Sequence, residues 1–113
     1  MTDWLSIPDF AARIGERDAR VRDLLREHHL IAVRRGENNA LALPADFIVD
    51  GAESPHILPT LKGTITVLAD AGLTDEQAMD WLLAANEELG STPLEALRSG
   101  VKAPVRRAAL ALF

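Results

Sequence analysis

The 113-residue chain is 48% hydrophobic and 26% charged, with a formal net charge of −5 at pH 7; that balance suits one globular domain, or a small domain with an extension, able to bury a core without covalent staples. It has no cysteine, which excludes disulfides, thiolate metal sites and cysteine nucleophiles. No apolar run approaches the roughly 20 residues of a membrane span, and Met1-Thr2-Asp3-Trp4 lacks the basic and apolar regions of a secretion signal, so a cytoplasmic protein is expected.

The predicted elements begin with a short amphipathic helix over Ser6–Gly15, with Phe10, Ala11 and Ile14 on one face. Ser6 or Asp9 caps it, Pro8 suits its first turn, and Gly15 ends it in a left-handed conformation. A second helix spans Arg17–His28. Its apolar stripe is Val21, Leu24, Leu25 and His28, and Arg22, Asp23 and Arg26 lie on the exposed side with Arg20 beside them. Ile31–Arg35 and Ala40–Leu43 flank Gly36-Glu37-Asn38-Asn39 and read as a hairpin, Ile31 and Val33 alternating with Ala32 and Arg34. Pro44–Ile48 reads as one helical turn that returns Phe47 and Ile48 to the core. Helix, turn, helix and basic hairpin together are the layout of a winged helix-turn-helix.

Asp50-Gly51-Ala52-Glu53-Ser54-Pro55 reads as a loop. Beyond it the chain is helical. Pro59–Ala71 carries Leu61, Ile65, Leu68 and Ala69 inward and stops at Gly72. Thr74-Asp75-Glu76-Gln77 is a capping box opening a helix to about Leu89, with Ala78, Trp81, Leu82 and Ala85 on one side. Thr92-Pro93-Leu94-Glu95 opens a third, with Leu94 and Leu97, ending at Gly100. Pro104 opens the last, with Val105, Ala108, Ala109 and Leu112 inward. The expected fold is mainly α: a winged helix-turn-helix with a short β-hairpin wing over residues 1–50, and a C-terminal helical bundle over 55–113.

Little in the sequence supports catalysis. His28 and His29 are neighbours in a helix tail and point apart, His56 stands in a loop, and a half-buried His28 with a solvated His29 is the expected arrangement rather than a metal site. Asp75, Glu76 and Asp80 complement a helix dipole. There is no glycine-rich phosphate loop, nucleophile elbow or cofactor fingerprint. Neither an enzyme nor a cofactor or metal requirement is expected.

The charge is uneven. Residues 13–35 carry seven arginines against four acids, a local charge of +3, while residues 51–113 carry five basic and eight acidic residues, a local charge of −3. Arg17, Arg20, Arg22 and Arg26 can be balanced by Asp18, Asp23 and Glu27 as a solvated face. On the second helix of a helix-turn-helix they also stand where a recognition helix meets base edges and phosphates. Arg34 and Arg35 in the wing suit phosphate or the minor groove. Asn38 and Asn39 at its tip tolerate left-handed turns and can contact the DNA backbone. The expected partner is double-stranded DNA, bound weakly and with steep salt dependence.

Trp4-Leu5-Ser6-Ile7-Pro8-Asp9-Phe10-Ala11, Val21-Arg22-Asp23-Leu24-Leu25, Leu30–Gly36 and Pro44-Ala45-Asp46-Phe47 resemble a small actinobacterial family of winged helix-turn-helix DNA-binding proteins. The first half also resembles excisionase and MerR-type domains. Leu61-Lys62-Gly63-Thr64 and Trp81-Leu82 to Leu97-Arg98-Ser99-Gly100 look like that family's C-terminal domain. The resemblance implies a DNA-binding regulator of transcription with no cofactor. Relatives with a longer N-terminal tail are open to Ser/Thr kinase phosphorylation; here Thr2 is the corresponding candidate. Ala78-Met79-Asp80-Trp81-Leu82 through Gly100 is also similar to the toxin-binding domain of a class of antitoxins, with Ser91 where a second glycine is common. That similarity implies an alternative role as a protein-interaction module, through a partner protein or self-association of the C-terminal helices.

Overall fold

The computed structural model describes residues 2–51 and 54–113. The loop expected over Asp50–Pro55 therefore falls partly outside the described residues. The elements in order are β1 (Trp4–Ser6), α1 (Ile7–Arg13), α2 (Asp18–Arg26), β2 (Val33–Arg35), β3 (Ala40–Pro44), a 3-10 turn (Ala45–Phe47), β4 (Ile48–Val49), β5 (His56–Ile57), α3 (Leu61–Asp70), α4 (Asp75–Leu83), α5 (Pro93–Arg98) and α6 (Ala103–Leu110).

The helix boundaries follow local chemistry. Ser6 is extended and its Oγ accepts from the Asp9 N–H at 3.2 Å, so Ser6 rather than Asp9 caps α1. At the other end Gly15 is left-handed at φ 69°, and the Glu16 N–H reaches the Ala11 carbonyl at 2.9 Å. α2 ends the same way, but the left-handed residue is His28, at φ 59°. That removes His28 from the apolar stripe. It is exposed and His29 is half-buried, the reverse of the expected arrangement.

β1 precedes α1 and pairs antiparallel with β3, on the opposite side from the β2–β3 hairpin, giving a sheet in the order β1-β3-β2. The expected wing is thus the outer part of a three-stranded sheet. The second strand, expected to end at Leu43, continues to Pro44. Inside the hairpin turn the Asn39 N–H bonds the Gly36 carbonyl at 3.1 Å, with Gly36 and Asn39 both left-handed.

The C-terminal helices keep their predicted caps. Thr74 and Gln77 exchange both capping-box bonds, at 3.2 and 2.9 Å, and Thr92 Oγ1 accepts from the Glu95 N–H at 3.1 Å. α4, however, stops at Leu83 instead of running to Leu89. Ala84 is extended, and Asn86 Oδ1 accepts from the Glu88 and Leu89 N–H groups at 3.0 and 3.3 Å. A side-chain acceptor that takes amides from the main chain competes with the helix. Ala85 is consequently exposed. Leu112 is exposed beyond the end of α6, and on α3 Val67, not Ala69, is buried.

One core joins both halves. Phe10, Val21, Leu43 and Phe47 from the first half form a continuous apolar cluster with Leu61, Leu68, Leu82, Leu97 and Val105 from the second. β4 and β5 pair antiparallel, Ile48 opposite Ile57 and Val49 opposite His56, and so bind the two halves through backbone as well. The Arg98 guanidinium adds bonds to the Asp46 and Ile48 carbonyls, both at 2.7 Å.

Candidate nucleic-acid interface

α2 is held by Val21 and Leu24, which pack inward against α1 and leave the opposite side to solvent. A helix turns about 100° per residue, so Arg20 and Arg22 lie roughly 200° apart around it. Arg22 borders a concavity of about 320 Å³, formed with Ser6, Pro8, Arg34 and Leu41. Arg20 lines a separate one of about 250 Å³, with Glu16, Leu24 and His56. The arginines expected to form one surface are therefore divided between two sides of α2.

Arg22 and Arg34 come from elements that are distant in sequence and meet at one concave surface, and none of its lining residues is acidic. Arg34 Nη1 donates to the Asn39 carbonyl at 3.1 Å, which ties its guanidinium to the hairpin turn. Arg26 is also exposed on α2, but it forms an ion pair with Asp23. Arg17 is the extended residue just before α2 and is exposed.

Successive strand residues face opposite sides of a sheet, which separates Arg35 from Arg34. Arg35 lies over the Trp4 ring, its guanidinium carbon 4.2 Å from the ring centroid. This contact has no signal in the sequence, where Trp4 and Leu5 precede the predicted helix and fall in no predicted element. Asn38 and Asn39 are exposed in the wing turn. Thr2 is half-buried.

Among the described residues no cluster of three or more His, Asp or Glu side chains has the geometry of a metal site. No helix among them is long and apolar enough to cross a membrane.

A two-helix unit whose second helix stands free, flanked by a three-stranded sheet with a basic hairpin, defines a winged helix-turn-helix protein. Residues 1–48 match the winged helix-turn-helix domain of "DNA-binding protein Rv2175c", and residues 58–112 match the "Rv2175c C-terminal domain of unknown function". The chain belongs to this small actinobacterial family of winged helix-turn-helix proteins. DNA-binding protein Rv2175c of Mycobacterium tuberculosis is 33% identical over 86 residues, which are 76% of this chain and 56% of that protein. This chain thus spans little more than half the length of that relative. The NMR structure of Rv2175c superposes with a TM-score of 0.84 at 27% identity, covering 98% of this chain and 81% of that one.

Proposed function

We propose that this protein binds double-stranded DNA and regulates transcription. The observation that carries the reading is the acid-free concavity where Arg22 of α2 meets Arg34 of the wing. The relative's description as a DNA-binding protein supports it.

In this reading α2 enters the major groove. Arg22 reads a base edge, its fork matching the paired acceptors of guanine. Arg34 holds an adjacent phosphate, and the wing tip with Asn38 and Asn39 lies along the backbone. Arg26 joins the contact when phosphate competes with Asp23 for its guanidinium. Arg17 and Arg20 flank the helix on the other side, and Arg35, supported by Trp4, approaches from the far face of the sheet. The acids on α2 and the net charge of −5 keep non-specific affinity low.

The test is fluorescence anisotropy with duplex fragments of the protein's own promoter and with random duplex, at about 50 and 200 mM salt. Steep weakening with salt, and persistently tighter binding to one fragment, supports the reading. No binding to any duplex at low salt rejects it.

A further inference from the structure

α3, α5 and α6 line a cavity of about 430 Å³, half open to solvent, that the proposed DNA contact does not use. That size is within the range of small-molecule sites. Its walls are mainly apolar, with Val67, Leu97 and Ala103 contributing. Two cations also line it: Lys102, just before α6, and Arg106, one turn further on. Among the described residues neither is in an ion pair, and no acid lines the cavity.

Two further features concern the same cavity. Gly63 lies in the first turn of α3 without the positive φ that justifies five other glycines of the chain. Glycine is disfavoured in a helix relative to alanine, so its place here calls for a reason. Gly63 lines the cavity, and a Cβ there would meet nothing within 4 Å, so the backbone leaves open space at this wall. The second feature is Thr60, another lining residue. Its Oγ1 is the buried side-chain oxygen among the described residues that lacks a hydrogen-bond partner.

We propose that this cavity binds a small organic anion with an apolar body, an aliphatic or aryl-alkyl carboxylate. The hydrocarbon part rests on Val67, Leu97 and Ala103, and the carboxylate accepts charge-assisted hydrogen bonds from Lys102 and Arg106. The site is independent of the DNA-binding reading and stands or falls without it.

The experiment is an NMR titration of the full chain with sodium octanoate, following the amides of Gly63, Thr64 and Lys102, with the neutral alcohol octanol as comparison. Saturable shifts at these amides are expected, with octanol at least about tenfold weaker. Lys102→Gln with Arg106→Gln weakens octanoate by about tenfold. Gly63→Leu abolishes the shifts while thermal unfolding stays cooperative. The charge variant tests the site even if Gly63→Leu does not fold. Absence of saturable shifts at about 5 mM octanoate overturns the proposal, since a site with a Kd of about 1 mM would then be mostly filled. So does undiminished binding in a folded Gly63→Leu protein, or octanol binding as tightly as octanoate.

Discussion

Arg98 donates to the carbonyl of Ile48 at 2.7 Å, across 50 residues of sequence. The same guanidinium nitrogen also reaches the Asp46 carbonyl. A single side chain from α5 thus satisfies two backbone acceptors where β3 turns through the 3-10 segment into β4. Arg98→Ala is expected to destabilise the protein by about 1–2 kcal/mol, toward the lower end for charged hydrogen bonds because the contact is only part-buried. Urea denaturation checks this; a midpoint unchanged from the parent protein would show that the bonds contribute nothing.

His28 takes the left-handed position after a helix that is usually filled by glycine. A side chain in the left-handed region costs about 1 kcal/mol, and the exposed imidazole makes no hydrogen bond among the described residues to offset it. His28→Gly should therefore raise stability by up to about 1 kcal/mol, measured as an upward shift of the thermal midpoint. A downward shift would mean that the imidazole makes a stabilising contact.

Gly63 gives the complementary case. Its helical backbone and the open space around it suit alanine, so Gly63→Ala should stabilise by about 0.5–1 kcal/mol. Calorimetry on the two proteins is sufficient to test this.

For DNA, Arg22→Ala and Arg34→Ala are expected to differ in kind. Loss of a base contact costs about 1–3 kcal/mol and relaxes sequence preference at one position, whereas loss of a phosphate contact weakens all sequences alike and lowers the salt slope by about one. Arg22→Ala should show the first pattern and Arg34→Ala the second, by anisotropy over a salt series. Asp23→Asn, which frees Arg26 from its ion pair, should tighten binding to any duplex. If Asp23→Asn weakens binding instead, the pair serves to position Arg26.

Much of this architecture was legible because its punctuation is local. Gly15, Gly72, Gly90 and Gly100 all adopt the left-handed conformation that ends a helix or turn, and the Thr74–Gln77 box forms both of its bonds. Less legible were features that depend on a partner. β1 and β5 are three and two residues long, too short to show a period, and exist because β3 and β4 lie alongside them. The end of α4 is hidden because Ala84, Ala85, Glu87 and Glu88 favour helix, while the Asn86 side chain competes for the next amides. Of the candidate interface, the arginines on α2 were visible as a group, but 3.6 residues per turn places Arg20 and Arg22 on different sides. The meeting of Arg22 with Arg34 is tertiary and has no sequence signal.

The stacking of Arg35 on Trp4 gives the molecule an optical reporter of its own. The chain has two tryptophans, and Trp81 lies on α4, in the other half. A phosphate that drew the guanidinium from the indole would change the emission of Trp4. Replacing Trp81 with phenylalanine would leave Trp4 as a single-site fluorophore, so that occupancy of the wing is read from unlabelled protein.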